Sequence, residues 1–193
     1  MGSQAESIPF PVPLMGIAAY SGTGKTTLLI ALLPLLKAAG LRIAVVKHAH
    51  HSFDMDHPGK DSYRLRAAGA DEMLVAARCR MGWIRECNDQ QGEPSLGQAL
   101  EVLDPERLDL VLVEGFKAEP FPKIELHRAA LRKPLLFPND PNIVAIATDD
   151  SELCADPAGL PHLSINRPGE IADFIVDFIG RGARAQTDLA LER

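Results

Sequence analysis

The sequence predicts an α/β fold, a mostly parallel, doubly wound sheet with an antiparallel edge hairpin. Three observations carry this. Apolar runs rich in β-branched residues recur at residues 14–19, 41–47, 108–113 and 142–148. Segments with helical spacing fall between them. A glycine-rich loop joins the first run directly to the first helical segment, residues 26–39.

That loop, AYSGTGKTTLL at residues 19–29, is the centre of the chain's chemistry. A junction of strand, glycine turn and helix gathers unpaired backbone N–H groups and the positive end of a helix dipole, so it holds phosphate without recognising base or sugar. Gly22 and Gly24 permit the tight wrap. The cradle is expected to run through Ser21, Gly22, Thr23, Gly24, Lys25, Thr26 and Thr27. Lys25 reaches the terminal phosphates, and the Thr26 hydroxyl ligates a phosphate-bound Mg2+. Ala19 takes the first glycine position of the GxxxxGK[ST] pattern, where a residue still in strand conformation tolerates a methyl group. The sheet is thus of the P-loop NTPase type. The loop leaves the base undetermined.

A chain of 193 residues, 46% hydrophobic, fits one compact domain, placed at residues 14–180. Residues 1–13, with three prolines, are expected to be a flexible leader, and residues 181–193 a flexible tail. Twenty basic against 26 acidic side chains give a net charge of −6, and no basic stripe or aromatic platform accompanies them, which argues against a nucleic acid polymer as partner. No apolar stretch approaches the length of a membrane span. Cys79, Cys87 and Cys154 have no CxxC spacing, so reduced, packed thiols and a cytoplasmic location are expected; Cys79 and Cys87 facing each other on a hairpin is the other reading.

Residues 41–47 follow Gly40 and read as a second buried strand, completing a right-handed β-α-β unit. The glycine loop and the residues after Lys47 then emerge at the same carboxyl edge of the sheet. The polar segment HAHHSFDMDHPGKDS is a loop expected beside the phosphate site. A short helix follows at 61–68, then strands at 72–77 and 81–87 that form the hairpin around residues 78–80. Residues 95–103 carry helical spacing with Ser95 as a cap. The run at 108–113 reads as a central strand, and further strands fall at 123–127, 142–148 and 162–165. Pro168 opens an amphipathic closing helix over 169–179, with Ile171, Phe174, Ile175 and Phe178 on its apolar face.

Several residues at the expected edge carry chemistry. Glu114 ends the central strand, where a carboxylate either reaches Mg2+ through a water or orients an attacking water as general base. Asp54 and Asp56 lie in the loop after the second strand; each suits the metal's outer shell and equally an ordinary turn. Lys47 and Lys60 attract anions, Lys60 at a helix start. His48, His50, His51 and His57 crowd into ten positions, either as transition-metal ligands or, by preference, as contacts for the phosphate of a second ligand or for a partner. Asp149, in ATDD after the late strand, offers a carboxylate that discriminates guanine from adenine.

Taken together, AAYSGTGKTTLL, KHAHHSFDMDHPGKDSYRLRAAGA, LDLVLVEGFK and NIVAIATDD resemble the molybdopterin-guanine dinucleotide biosynthesis protein B (MobB) family, from about residue 14 to 179. The histidine-rich stretch is the specific one. The resemblance implies a GTP-binding accessory, or adapter, protein of molybdenum cofactor biosynthesis with weak GTP hydrolysis. It works with the guanylyltransferase MobA, which attaches GMP to molybdopterin to make molybdopterin guanine dinucleotide. The resemblance also implies a homodimer built through an extended sheet, with GTP and Mg2+ as ligands and molybdopterin as a second one. It places the phosphate loop on Gly22 to Thr27 and the second motif on Glu114 and Gly115. Related dimeric ATPases carry an extra lysine in the loop where this chain has Tyr20, so a lysine acting in trans is not expected. A small-molecule kinase, with His50 or Asp54 acting on an acceptor hydroxyl, and a metallochaperone GTPase are the alternatives that share the loop.

Overall fold

The structure, a computed structural model, describes residues 8–49, 54–87, 92–150, 153 and 159–191, with backbone alone for residues 182–191. In chain order the elements are β1 (Leu14–Ala18), α1 (Lys25–Ala38), β2 (Ile43–Lys47), α2 (Asp61–Ala67), β3 (Glu72–Ala77), β4 (Arg80–Arg85), α3 (Leu96–Leu100), β5 (Leu110–Glu114), β6 (Lys123–His127), β7 (Ile143–Thr148), β8 (His162–Ser164) and α4 (Pro168–Leu191). They form two compact units, one of Met1–His48 with Leu96–Arg193, the other of Ala49–Ser95, where composition suggested one.

The first unit is a six-stranded sheet in the order β2-β5-β1-β6-β7-β8, with every neighbouring pair parallel. Alternation along the strands sends side chains to two cores. Met15, Ile17, Leu110 and Leu112 pack with Leu28, Leu32 and Leu36 of α1 and with Ile171 and Ile175 of α4. Leu14, Val111 and Val113 face the other way onto Leu96 and Leu100 of α3. Leu32 and Leu36 are fully buried, each burial worth about 2 kcal/mol. β1 therefore lies in the middle of the sheet with β5 and β6 on either side, and its carboxyl end sits where the strand order reverses.

Several expectations need correction. Residues 8–13 are not a detached leader: Val12 is buried and Ile8 and Phe10 pack on the second core, because the face of β5 leaves apolar surface that α3 is too short to cover. Pro13 O also accepts the Val111 N–H. β2 is an edge strand rather than a buried one, since β5 inserts between it and β1, and Val45 stays 45% exposed. α3 spans five residues, shorter than the helical spacing suggested. α4 runs on past Gly180 to Leu191; Gly180 and Gly182 each cost only about 1 kcal/mol in a helix, and Arg181, Ala183, Arg184, Ala185 and Gln186 are good helix formers.

In the second unit, β3 and β4 pair antiparallel from Glu72↔Arg85 to Ala77↔Arg80 around Arg78 and Cys79. The hairpin forms a sheet of its own rather than an edge of the six-stranded one. Cys79 and Cys87 are exposed, not packed, and Cys79 sits in the turn instead of opposite Cys87; Cys154 lies outside the described residues. α2 buries no residue. Arg66 supplies the cohesion instead: its guanidinium lies 2.8 Å from Glu86, 3.5 Å from Asp54 and 3.8 Å from Asp56.

Candidate functional site

The chain leaves β1 at Ala18 and enters α1 at Lys25 through a loop in which Gly22 and Gly24 have φ of +81° and +99°. That region is open to glycine and strained for other residues. A Cβ added at either glycine meets nothing within 4 Å, so it is the positive φ rather than crowding that calls for glycine at both. No side chain caps α1 and no acidic residue stands in its first turn. The helix N–H groups thus remain available to an anion, and no carboxylate there opposes one. Thr26 and Thr27 are exposed at this end, while Thr23 is buried and donates its hydroxyl to the Tyr20 carbonyl at 2.8 Å. Lys25 Nζ donates to the same carbonyl at 3.2 Å. Burial lowers the Lys25 pKa, the Lys117 and Lys47 charges lower it further, and Glu114 opposes them.

Glu114 is the last residue of β5 and is buried at 8% exposure. Its carboxylate lies 2.9 Å from Lys47 Nζ, the residue opposite it in register on β2. Beyond it the chain turns through two left-handed residues, Gly115 at φ +100° and Phe116 at φ +49°. A Cβ at Gly115 would sit 2.5 Å from the His48 Cβ, so only glycine passes here. Phe116 stacks on the His48 ring with centroids 4.6 Å apart, which holds a conformation costing an L-residue about 1–2 kcal/mol.

On the other side of the loop, a cavity of about 280 Å³ is lined by Gly22, Thr23, Gly24, Thr27, Arg128, Pro168 and neighbouring apolar residues. Arg128 follows β6 and is oriented by two partners: its Nη1 donates to Asp149 Oδ2 at 3.0 Å and to Asn166 Oδ1 at 2.8 Å. Asp149 Oδ1 accepts the Ala129 N–H at 2.9 Å, and that bond is the first cause of a lowered Asp149 pKa. Both carboxylate oxygens expected to read guanine are therefore engaged in holding Arg128 and its segment. Sequence reasoning passed over Arg128 and Asn166. The available signal was position, since Arg128 directly follows β6 and Asn166 comes two residues after β8.

The family model for Molybdopterin guanine dinucleotide synthesis protein B matches residues 14–149, which takes in the loop, Glu114 and Asp149. The chain belongs to the MobB family. It is 44% identical over 169 residues to the molybdopterin-guanine dinucleotide biosynthesis adapter protein of Escherichia coli strain K12, covering 87% of this chain and 94% of that protein. The protein of the same name from Haemophilus influenzae is 42% identical over 174 residues, 87% of this chain and 90% of its own. The crystal structure of molybdopterin-guanine biosynthesis protein B superposes with a TM-score of 0.66 at 28% identity, covering 86% of this chain and 98% of that one.

The structure of this MobB-family chain distributes the remaining expected residues differently. His48 belongs to the first unit and packs on Phe116. His50 and His51 lie outside the described residues. Asp54, Asp56, His57 and Lys60 belong to the second unit. There Asp54 Oδ1 accepts the Asp56 N–H at 3.0 Å, which lowers its pKa, with Arg66 adding to the effect. Asp56 Oδ1 accepts from the His57 N–H and the Ser62 hydroxyl, each at 3.0 Å. These carboxylates order their own loop, the turn-forming alternative. Lys60 is exposed and precedes α2 with extended backbone. Among the described residues, no group of three His, Cys, Asp or Glu side chains is placed to hold a metal ion.

Proposed function

We propose that this chain is a GTP-binding adapter of molybdenum cofactor biosynthesis that assists conversion of molybdopterin to molybdopterin guanine dinucleotide, with slow GTP hydrolysis. One observation carries the reading: an open, uncapped phosphate loop stands on a chain 44% identical to a molybdopterin-guanine dinucleotide biosynthesis adapter protein along nearly its whole length. Residues 21–27 wrap the phosphates through backbone N–H groups, and Lys25 leaves the Tyr20 carbonyl to meet the terminal ones. The Thr26 hydroxyl is the donor assigned to Mg2+, with the Glu114 carboxylate reaching it through a water, oxygen ligands suited to that hard cation. When bound, the metal neutralises charge on the phosphate oxygens. Glu114, buried beside Lys47, orients the attacking water.

The cavity beside Arg128 takes the nucleoside end, with Arg128 as its polar wall. The partner is the molybdenum cofactor guanylyltransferase MobA, and the location is the cytoplasm. A homodimer is supported by the hairpin face that carries Leu74 at 58% and Met81 at 69% exposure, beside Trp83. Among the described residues no helix is long and apolar enough to cross a membrane.

The test is equilibrium binding between this chain and the guanylyltransferase with GTP and Mg2+ present. The expected result is a saturable complex that raises the yield of molybdopterin guanine dinucleotide. Absence of both complex and stimulation would overturn the adapter role.

A further inference from the structure

Among the described residues, two non-glycine positions have left-handed backbone, Phe116 and Arg132, each at φ +49°. Each stands immediately before a lysine. Lys117 Nζ lies 5.9 Å from the centre of the Tyr20 ring and Lys133 Nζ lies 6.0 Å from it. Two segments far apart in sequence, one after β5 and one after β6, thus bend through strained residues to bring their ammonium groups to one aromatic ring. Such strain persists only where the surroundings over-determine it, and it concentrates at binding sites. For Phe116 the surroundings are the His48 stack, the Gly115 passage and the Glu119 N–H, which donates to Phe116 O at 3.0 Å. For Arg132 they are the short 3-10 turn Ala129–Leu131, whose Ala129 O accepts the Arg132 N–H at 3.1 Å.

Tyr20 is no remote residue. It immediately precedes the loop, and its carbonyl accepts from both Lys25 Nζ and the Thr23 hydroxyl. Among the described residues, neither Lys117 nor Lys133 has a carboxylate partner, while the carboxylate of Glu114 is paired with Lys47. Both lysines are exposed, so their ammonium groups are open to an anion. Burial is the main cause of the lowered Lys25 pKa, and the Lys117 charge adds to it, which sets Lys117 within electrostatic reach of the loop lysine.

We propose that Lys117 and Lys133, gathered on the Tyr20 ring, form a second phosphate-binding subsite at the mouth of the loop. The subsite takes either the terminal phosphate of the bound triphosphate or the phosphate of a separate monoester. In the first case the chain supplies in cis the charge for which the loop itself, with Tyr20, has no second lysine. The inference rests on the triphosphate reading of the loop.

The test is calorimetric titration of wild type, Lys117→Ala/Lys133→Ala and the Lys117→Arg/Lys133→Arg rescue with Mg2+ and GTP, with Mg2+ and GDP, and with inorganic phosphate added to the GTP-loaded protein. Use of the subsite by the terminal phosphate weakens GTP binding of the alanine pair about tenfold while GDP binding holds, and arginine restores it. Use by a separate monoester leaves both nucleotides unchanged and abolishes binding of added phosphate. Equal losses on GTP and GDP, or no loss on any probe, overturn the subsite while leaving the loop reading intact. Failure of the wild type to bind either nucleotide overturns the loop reading and the subsite with it.

Discussion

Lys47 and Glu114 stand opposite each other on parallel strands and close an ion pair of 2.9 Å at the strands' carboxyl ends. The lysine side chain is 56% exposed and the glutamate only 11%, so the pair buries its negative end and leaves its positive end in water. Screening of the exposed partner keeps the pair's contribution to stability small, while the position of the carboxylate is well defined.

Glu114→Gln keeps the side-chain volume and removes the charge. GTP affinity is expected to stay within about twofold, and single-turnover hydrolysis to fall about 100-fold or more, as for loss of a general base. The denaturation midpoint should move by less than about 1 kcal/mol equivalent. Unchanged hydrolysis assigns the carboxylate to structure alone.

Arg128→Ala and Asp149→Asn should weaken GTP binding by similar factors, about tenfold each, because Asp149 acts by orienting Arg128. The double variant should be no worse than Arg128→Ala, the mark of two residues acting as one unit. Preference for GTP over ATP distinguishes the roles. A base-reading Asp149 loses that preference on substitution, whereas a positioning Asp149 keeps it.

Much of this arrangement is legible in the sequence because it is local. The loop, its flanking strand and helix, the strand ending in Glu114 and the hairpin all follow from spacing and turn chemistry within a dozen residues. What escaped is non-local. That β5 inserts between β1 and β2, exposing Val45, depends on strand order, which no periodicity encodes. The packing of Ile8, Phe10 and Val12 depends on the shortness of α3. Lys117 stands two residues past the second motif, yet only the left-handed turn at Gly115 and Phe116 brings it to Tyr20.

Arg66 joins Asp54, Asp56 and Glu86 in a unit whose helix buries nothing. Arg66→Ala should open that unit selectively. Limited proteolysis is expected to cleave between residues 54 and 86 severalfold faster, with the six-stranded unit retained. Equal cleavage rates show that other contacts hold the hairpin and its loop.

Asp109 tests the edge of the sheet through pH. Hydrogen bonds from the Arg42 side chain and backbone hold its pKa at about 2, below the ordinary 3.8. A depressed carboxylate pKa means that the folded state binds the proton more weakly, so the stabilisation is complete above about pH 4 and is lost as pH falls through about 2. The gap in urea midpoint between wild type and Asp109→Asn should be constant from pH 7 to 5 and close toward pH 2. A gap that persists unchanged at pH 2 removes Asp109 ionisation as its source.

The most direct measurement is titration of GTP with Mg2+ into the wild-type chain and into Lys25→Ala, with circular dichroism to verify that both are folded. Saturable binding by the wild type and at least ~100-fold weaker binding by Lys25→Ala is the expected result, since the ammonium serves the phosphates rather than the core. Equal affinity in the two proteins, or a folded wild type that binds no GTP, contradicts a nucleotide site at this loop.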